Sequence, residues 1–589
     1  MEQRNVILAI ALSFVILVGW NYWEQSQLEE RAMIEEARMA ENGTLPAPAV
    51  TVDGVSVAPS ATTPANLSAE NIIIRPRAEI LKDSARVNIV SDKLHGSIRL
   101  TGAKIDDLTL LEYKDTIDED SPEVVLLEPV GSTSPYYATF GWWANEGVET
   151  PDGNTQWTAS NDTLTPESSV ILSWKNNQGM VFTQTYSLDA NYMFSVEQSV
   201  TNMTGGAISV APYGLISRTS TPDILGYYIL HEGLIGVIDQ TLTEIDYDDL
   251  QDNQSQEFDT TGGWMGITDK YWLMALIPNQ QETVKARYHA IAEGDDFKYQ
   301  SDFLGSTQTL AVGASVSSSA MLFAGAKQTN LLDQYQNDLG ITNFDLAVDF
   351  GWFYFLTKPI FFAIHWLNGV LGNFGLAILA LTLVIKAFLF PLANKSYKSM
   401  SKMKLLQPKM VELKERHADD RQNLNQAMME LYKKEKVNPL SGCLPIIVQI
   451  PIFFSLYKVL FVTIEMRHAP FFGWIHDLSA QDPLGLLTGF GLIDWNVPQA
   501  MMILNIGLWP LIMGFTMWLQ QRLNPTPTDP IQAKVFMFMP IMFTFMLGTF
   551  PAGLVIYWAW NNTLSMAQQW MIMRQMGVAV AGGKIEDSK

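Results

Sequence analysis

The chain has 589 residues, 48% of them apolar, and a formal net charge of −23 at pH 7 that is unevenly distributed. Residues 24–350 contain 47 Asp and Glu against 17 Lys and Arg, whereas the remainder contains 14 acids and 21 bases. This composition excludes an ordinary soluble protein and indicates an acidic soluble domain joined to a slightly basic membrane domain. An acidic domain of this size is also unsuited to non-specific nucleic-acid binding.

The first hydrophobic segment is Val6–Trp23, which follows Arg4. Its length is consistent with a cleaved signal peptide or with an uncleaved membrane anchor. The segment ends in the run Gly19–Trp23, which is rich in aromatic residues and offers no small-residue cleavage site. Because aromatic residues mark the membrane interface, we expect an uncleaved anchor over residues 1–23.

Residues 24–71 are predicted to form a flexible linker, because much of this segment is rich in Pro, Ala, Thr and Ser. Residues 72–350 then change to short alternating runs separated by turn residues, which predicts a large all-β sandwich. Val170–Leu188 is one example, with two strands expected around the turn Asn176–Gly179.

The predicted β-sandwich, residues 72–350, carries no enzyme signature and is called the outer domain below. Its histidines, His95, His231 and His289, lack metal-ligand spacing. Four aspartates between residues 246 and 252 are more typical of a solvated loop than of a Ca²⁺ site. The paired aromatics at 142–143 and 227–228 are consistent with a sugar groove but are more typical of a sandwich core.

The second half of the chain is predicted to be a membrane α-helical bundle. Residues 351–373 indicate a helix lying in the outer interface. Five further apolar segments are predicted to span the bilayer, which gives six spans in total. They cover residues 374–393, 443–466, 503–519, 536–550 and 554–573. The single cysteine, Cys443, excludes an intrachain disulfide.

Charge sets the predicted orientation of these spans. The loop 394–442 is basic, with 11 Lys and Arg against 6 Asp and Glu between Lys395 and Lys436, and is therefore expected to be cytoplasmic. The same rule makes 467–502 an outer loop and 520–535 a cytoplasmic loop. The tail 574–589 and the N-terminus are then cytoplasmic, and residues 24–350 lie outside.

The cytoplasmic loop is predicted to form a helical hairpin, with helices over Ser396–Arg416 and Arg421–Lys436 and with Asp420 capping the second. Methionines offer a deformable apolar surface suited to varied partners. The candidate contact residues are Met400, Met403, Met410, Met428 and Met429. An equally weighted alternative is that these side chains pack between the two helices of the hairpin.

Lys386 is the most informative residue, because it lies in the otherwise apolar stretch Phe374–Ala393. An ammonium inside a bilayer costs roughly 2.5–3.5 kcal/mol and needs a hydrated cavity or an anionic partner. The alternative is snorkelling toward Asn394, about 12 Å further along the helix.

Further polar side chains lie in the predicted spans. Thr382 shares a helical face with Lys386, and the third span contributes Gln449. The sixth span contributes Tyr557, Trp558, Asn561, Asn562, Ser565, Gln568 and Gln569. Each amide alone is typical of interhelical contacts, whereas their number beside a lysine favours a hydrated cavity that receives an anionic group.

Four long stretches resemble the YidC family of bacterial membrane protein insertases, in its Gram-negative form with a large periplasmic domain. They are Lys395–Met410, Leu431–Leu460, Trp474–Pro483 and Phe550–Asn562, and the resemblance covers essentially the whole chain. It implies that spans two to six form an insertase core with a groove open to the cytoplasm and to lipid. It also implies that the outer domain is a periplasmic β-supersandwich without a catalytic role.

The resemblance assigns groove roles residue by residue. The groove charge falls on Lys386, its threonine on Thr382, its third-span glutamine on Gln449 and its sixth-span contact pair on Tyr557 and Trp558. Asn561 and Asn562 are added to this set as neighbours on the sixth span. The candidates for structural or gating roles are Pro445, Pro451, Pro510, Pro551 and Gly553.

Three positions depart from the family pattern. The groove cation is commonly arginine but is lysine here, and lysine is a compact point charge. Trp558 replaces a frequent tyrosine and can donate one hydrogen bond but accept none. The tail Gly582–Lys589 is not polybasic, which puts tail-mediated ribosome binding in doubt.

The expected function is a non-enzymatic insertase and chaperone of inner-membrane proteins, acting alone or with the Sec translocon and without a cofactor. The partners implied by the resemblance are nascent membrane proteins, Sec translocon subunits, the ribosome and the lipid bilayer. One alternative is a small-anion transporter, which would predict two related halves that the sequence lacks. The other is a membrane-tethered periplasmic carbohydrate-binding protein or enzyme.

Overall fold

A computed structural model of the chain describes residues 74–575, apart from 146, 225–229, 295, 418–419, 436, 438–443 and 525–529. The predicted anchor and linker and nearly all of the predicted tail lie outside these residues. The chain divides into two compact units, of which one comprises residues 1–57 and 526–538. The architecture below belongs to the other unit, residues 58–525 and 539–589, except that the first part of one helix, residues 530–538, is assigned to the first unit.

Within the described residues, the N-terminal part of this unit forms two β-sheets of eleven and nine strands. The first sheet runs β14-β17-β18-β11-β5-β3-β2-β1-β7, with β19 paired to β11 and β4 to β3, and the second runs β13-β12-β15-β16-β20-β10-β9-β8-β6. The strands in chain order are β1 Arg86–Val90, β2 Leu94–Arg99, β3 Lys104–Lys114, β4 Glu123–Leu127, β5 Tyr136–Ala144, β6 Thr158–Ala159, β7 Thr163–Leu164, β8 Val170–Lys175, β9 Met180–Leu188, β10 Met193–Asn202, β11 Ile208–Thr219, β12 Gly233–Ile238, β13 Thr241–Asp246, β14 Ser255–Thr261, β15 Trp264–Thr268, β16 Trp272–Ile277, β17 Thr283–Glu293, β18 Asp296–Leu304, β19 Gln308–Leu310 and β20 Ser315–Ala326.

The two sheets pack as a sandwich because their strands alternate apolar and polar side chains. In β9, Met180, Phe182, Tyr186 and Leu188 point into the shared core and are at most 4% exposed. Gln184 occupies the same face and donates from Nε2 to the carbonyl of Phe140 in the other sheet, at 2.7 Å. The predicted β-sandwich and the predicted hairpin within Val170–Leu188 are therefore confirmed.

The acidic segment near residue 246 differs from the prediction of a solvated loop. Tyr247–Asn253 forms a short helix, in which Tyr247 and Leu250 are buried against the sandwich. Those two side chains, three residues apart, bury one face of the helix, while Asp248 and Asp249 lie in its first turn, where the helix dipole favours carboxylates.

Lys327 is buried in the sandwich at 3% exposure, with its Nζ donating to Thr268 Oγ1 at 2.8 Å. Burial lowers the pKa of this ammonium from 10.5 to about 8. Between pH 8 and pH 10.5 the unfolded chain therefore binds more protons than the folded chain. The contribution of Lys327 to the free energy of unfolding thus rises with pH in this window. We expect Lys327→Met to be more stable than the wild type at pH 7 and to lose this advantage toward pH 9.5. Urea unfolding at several pH values checks this, and the exposed Lys285→Met is the control; parallel pH curves for Lys327→Met and the wild type would contradict it.

The described helices are α1 Arg77–Ile80, α2 Tyr247–Asn253, α3 Thr329–Asp338, α4 Tyr354–Leu371, α5 Phe374–Phe388, α6 Phe390–Arg416, α7 Arg421–Lys434, α8 Leu444–Val462, α9 Leu508–Leu523, α10 Pro530–Met546 and α11 Ala552–Gln575. Short 3₁₀ turns cover Phe344–Ala347, Ile464–Met466, Gln499–Leu504 and Leu547–Thr549. Among the described helices none is by itself both long and apolar enough to cross a bilayer, whereas the bent pair α5 and α6 together meets that length and composition.

The predicted straight span over residues 374–393 is interrupted. Helix α5 ends at Phe388 and α6 begins at Phe390, with a bend of 68° between them. The cause is Pro391, which lies in the first turn of α6. Proline has no backbone N–H, and its ring would clash with the carbonyl of residue 387 in a continuous helix. The same bend makes the first hairpin helix begin at Phe390 instead of Ser396.

Other helix bounds also differ from the predicted spans. The third span was expected to reach Met466, but α8 ends at Val462 because Thr463 adopts an extended conformation. The fourth was expected to begin at residue 503, but α9 begins at Leu508. Asp482 fixes this start from a distant loop, since its Oδ2 accepts from the backbone N–H of Trp509 at 2.7 Å.

Helices α9 and α10 approach closely at Gly514. A Cβ added there would overlap Thr544 Oγ1, which is itself bonded to the carbonyl of Pro540 at 2.8 Å. We therefore expect Gly514→Ala to destabilise the protein by about 2 kcal/mol through overpacking. Thermal unfolding of the purified protein measures this, and addition of Thr544→Ala should restore the loss. Gly369→Ala in α4 is the matched control because nothing lies within 4 Å of its added Cβ; equal effects at the two glycines would contradict the prediction.

The sandwich contacts the helical region through side chains at and beyond the end of α8. Lys458 Nζ lies 2.7 Å from Asp349 Oδ2, and both side chains are largely buried. Glu465 Oε1 accepts the backbone N–H of Thr329 at 3.0 Å. Arg467 donates to the carbonyl of Lys114 at 2.6 Å. These contacts fix one end of the helical bundle against the sandwich.

Candidate functional site

The candidate site lies where α5, α8, α9 and α11 meet. Helix α11 lies at its centre and is buried along most of its length. Trp560 of α11 donates from Nε1 to the carbonyl of Leu379 in α5 at 3.2 Å. This bond holds the helix that carries Lys386 against the helix that carries most of the amide side chains.

Lys386 points toward α11, where its Nζ lies 2.7 Å from Ser565 Oγ. The Ser565 hydroxyl donates to the carbonyl of Asn561 at 2.7 Å, so its oxygen is free to accept from the ammonium. Among the described side chains, no carboxylate lies within salt-bridge distance of Lys386. The half-buried cation is thus held by a neutral hydroxyl and keeps N–H donors available for another ligand.

A second polar contact joins α8 to α11. Gln449 Nε2 donates to Tyr557 Oη at 2.5 Å, and the tyrosine side chain is 2% exposed. Tyr557 lies eight residues before Ser565, which is about 12 Å along the helix. The two contacts therefore lie at two levels of one polar face of α11. This face, the polar stripe, carries Tyr557, Asn561, Asn562, Ser565, Gln568 and Gln569.

Amide side chains complete this stripe. Asn562 Nδ2 donates to Thr516 Oγ1 of α9 at 3.3 Å, and Gln569 Nε2 donates to Asn524 Oδ1 at 3.1 Å. Buried amide atoms without a partner among the described residues are Gln521 Nε2, Asn561 Oδ1, Gln568 Nε2 and Gln569 Oε1. A buried polar atom left unpaired costs roughly 1–3 kcal/mol, so a cluster of them indicates a site for water or for polar ligand atoms.

The remaining predicted groove residues have other contacts. Thr382 is 2% exposed and donates to the carbonyl of Ile378 in its own helix at 2.7 Å, without a bond to Lys386. Trp558 packs its ring between Phe453 and Phe543, with ring centroids 4.6 and 5.7 Å away. These two side chains therefore pack beside the polar stripe and contribute little to its hydrogen-bonding surface.

The proposed gating residues lie at helix ends and close contacts. Pro445 lies in the first turn of α8 and Pro451 inside the same helix. Pro510 lies in the first turn of α9, and Pro551 directly precedes α11. A Cβ on Gly553 would lie 3.1 Å from the carbonyl of Leu478, so this glycine permits a close approach of α11 to the loop.

Some of the hairpin methionines pack between the two hairpin helices, and others are exposed and available to a partner. Met410 is 5% exposed and packs with Leu406 and Val437. Met403 and Met428 lie against the same cluster, whereas Met429 is 55% exposed. Met400 is half-buried. Packing between the helices therefore accounts for three of the five, and Met429 is the most available for a partner. Asp420 caps α7 as predicted, accepting from the backbone N–H groups of Gln422 and Asn423.

The predicted groove set did not include Thr516, and it did not include Ser565, which was noted only among the polar residues of the sixth span; the structure places both in the stripe. Ser565 lies four residues after Asn561, which is the helical spacing that puts both on one face. That periodicity was the available signal. Thr516 has no comparable signal, because its contact with Asn562 depends on how α9 packs against α11.

Comparisons with known proteins agree with the sequence resemblance. A family model described as the YidC periplasmic domain matches residues 86–363, and one described as a 60Kd inner membrane protein matches residues 366–579. A solved structure of an active YidC insertase, with its first transmembrane domain resolved, aligns with a TM-score of 0.33 and 17% identity. That alignment covers 82% of this chain and 92% of the other.

Two sequence relatives match over nearly their full length. The membrane protein insertase YidC of Methylobacterium nodulans is 49% identical over 589 residues, covering 98% of this chain and 96% of that one. The protein of the same name from Beijerinckia indica subsp. indica is 47% identical, covering 98% and 97%. The resemblance inferred from the four sequence stretches is confirmed, and the chain belongs to the YidC family of membrane protein insertases.

Proposed function

We propose that this chain inserts and helps fold bacterial inner-membrane proteins through the polar stripe around Lys386, without a nucleotide or other cofactor. The substrate's short translocated tail enters the stripe, and its apolar segment then passes into lipid. The periplasmic sandwich and the cytoplasmic hairpin lie on opposite sides of this route. Neither the small-anion transporter nor the carbohydrate-binding alternative is favoured by the comparisons.

The observation that carries this proposal is the combination of a half-buried ammonium with unpaired buried amide atoms. Lys386 is bound by the neutral Ser565 hydroxyl, and polar atoms of Asn561 and Gln568 are left unpartnered among the described residues. A carboxylate or peptide group that enters the stripe exchanges part of its lost hydration for these donors and acceptors. The desolvation barrier to crossing the membrane is thereby lowered.

Two further free-energy contributions favour insertion of the substrate. Each leucine or isoleucine that enters lipid gains about 0.3–0.6 kcal/mol. The membrane potential contributes about 2.3 kcal/mol per charge per 100 mV when an acidic tail crosses outward. These gains require no hydrolysis step.

The proposed topology has six spans, with both termini cytoplasmic and residues 24–350 periplasmic. It is supported by the 11 basic residues of the hairpin loop, which favour a cytoplasmic location. Nascent membrane proteins and the bilayer are the proposed partners. The Sec translocon and the ribosome are proposed as further partners from the family resemblance, and the non-basic tail argues against the tail as the ribosome contact.

The test uses purified protein in liposomes and a single-span substrate with an acidic translocated tail. We expect the tail to become protected from external protease without nucleotide. Deletion of residues 72–340 should leave much of this activity, since the stripe lies entirely in helices of the membrane domain. No protection by the full chain, with a substrate that another insertase does insert, would overturn the proposal.

A further inference from the structure

A cavity of about 1150 Å³ lies between the sandwich and the helical region, distant in sequence from the stripe around Lys386. One wall comes from the end of β13 and the start of α2, including Glu244 and Asp248. The opposite wall comes from α8, including Ile450 and Phe454, and the rim carries Trp352 just before α4. The lining of the cavity therefore combines a polar part with a larger apolar part.

Its polar wall is strongly acidic. Among the described residues, five carboxylates line the cavity, at Glu232, Glu244, Asp246, Asp248 and Asp349, against a single lysine, Lys458. That lysine is held by Asp349 at 2.7 Å, and His231 lies 3.1 Å from Asp246. Among the described residues, the carboxylates of Glu244 and Asp248 accept no side-chain hydrogen bond, although Glu244 lies within electrostatic range of His231 and Lys458. The net charge of the lining favours a ligand that carries a cationic group.

Its apolar wall belongs to a surface suited to lipid. Ile450 and Phe454 are 47% and 44% exposed, although the C-terminal part of their helix, from Ser455 to Val462, is largely buried. Trp352 is 98% exposed. Helix α4 continues this surface with Phe355, Trp366 and Val370, which are all more than 60% exposed and share one face. Exposed aromatic and aliphatic side chains in this arrangement are typical of a helix at the membrane interface.

We propose that this cavity binds a phospholipid with a primary-amine headgroup, of the phosphatidylethanolamine class. The ammonium lies between Glu244 and Asp248, and an acyl chain lies along Ile450 and Phe454. Among the described lining residues, Lys458 supplies the one lysine charge that the phosphate would face.

The charge balance argues against other occupants. A phospholipid with a net negative charge would meet four more carboxylates than lysines. A translocated substrate segment is also a poor match, because the outer flanks of membrane proteins contain few Lys and Arg. A lipid with a cationic group in its headgroup and an apolar acyl chain matches the acidic part and the apolar part of the lining together.

The test is lipid binding by the full-length protein in detergent, measured by native mass spectrometry. Phosphatidylethanolamine, phosphatidylcholine and phosphatidylglycerol with identical acyl chains are offered at equal concentration. We expect the ethanolamine lipid to be retained about fivefold more than the choline lipid, whose quaternary ammonium has no N–H donor. The glycerol lipid should be retained least.

The variant Glu244→Gln/Asp248→Asn removes two lining charges and no hydrogen bond between described residues. It should lower retention of the ethanolamine lipid about five- to tenfold, with a smaller loss for the choline lipid and no loss for the glycerol lipid. Glu197→Gln/Asp120→Asn is the matched control, because it removes two exposed carboxylates outside the cavity lining. Both variants should melt at the wild-type temperature.

A second measurement does not depend on the variants. An ethanolamine lipid with a photoreactive acyl chain should label the peptide that contains Ile450 and Phe454. Preferential retention of the glycerol lipid, equal retention by the cavity variant and the wild type, or a tightly held peptide in place of lipid would each overturn the proposal. Because no substrate is present, failure here would leave the insertion proposal to its own test.

Discussion

Replacing Lys386 with alanine is expected to lower insertion of a substrate with an acidic translocated tail by about tenfold or more. The ammonium is the only charged group described at the stripe, and it is held toward α11 by Ser565 at 2.7 Å. Removing it takes away the charge that offsets desolvation of a carboxylate, and a loss of about 1.4 kcal/mol in the transition state gives a tenfold slower rate. The measurement is the rate at which the tail becomes protease-protected in proteoliposomes.

The substrate supplies the sharpest control for this prediction. A tail in which each Asp and Glu is replaced by Asn and Gln should be inserted at similar rates by wild type and by Lys386→Ala. Lys386→Arg should retain most activity toward the acidic tail, because the charge remains. Ser565→Ala should have a smaller effect, of about two- to threefold, since it loosens the position of the ammonium without removing it.

The opposite outcome has a definite meaning. If Lys386→Ala protects the acidic tail as fast as the wild type does, the lysine is a packing or snorkelling residue. The observed geometry argues against snorkelling, because a side chain that reached toward Asn394 would give up the bond to Ser565 on the neighbouring helix. The interaction with α11 holds the charge within the bundle.

The sequence singled out polar residues that the structure brings together, whereas it predicted the bounds of their helices less accurately. Lys386, Gln449 and Tyr557 were selected because a polar residue in an apolar span is costly, and this argument needs no packing information. The bond between Gln449 and Tyr557 joins two helices and links residues that are 108 positions apart in the sequence. Which polar residues pair is decided by helix packing, so the sequence did not predict the contacts of Thr516 and Ser565.

Helix bounds were missed where a local signal competed with hydropathy. Pro391 divides the predicted second span, although the hydrophobic pattern continues through it. Asp482 sets the start of α9 from a loop that lies 27 residues earlier. The proline could have been used from the sequence, because its effect is local. The cap could not, because it depends on a tertiary contact.

Replacing Arg86 with methionine is expected to lower the free energy of unfolding of the sandwich by about 3–5 kcal/mol. Arg86 is paired with Asp106, and the two side chains are 9% and 0% exposed. Asp106 Oδ2 already lacks a partner among the described residues, so removal of the guanidinium leaves a buried carboxylate uncompensated. Urea unfolding followed by the β-sheet circular-dichroism signal measures the loss.

Two comparisons make this expectation specific to the buried charge. Burial already raises the pKa of Asp106, and loss of Arg86 removes the strongest of the cationic groups that oppose this shift. The folded variant therefore binds a proton more readily than the unfolded chain, so its stability falls as pH rises above about 4, and the loss should be larger at pH 7 than at pH 4.5. Addition of Asp106→Asn should recover part of the loss, because the remaining group is then neutral.

The exposed pair Arg75 and Asp83 provides the control, since both of its side chains are 43% exposed. Arg75→Met should leave the unfolding curve nearly unchanged, because water solvates the remaining carboxylate once the partner is removed. A comparable loss at both pairs would contradict the prediction, since it would assign the effect to arginine packing. The expected difference between the two pairs follows from burial alone: the same two residue types are joined in both, and only inside the sandwich does the carboxylate have no water to replace its partner.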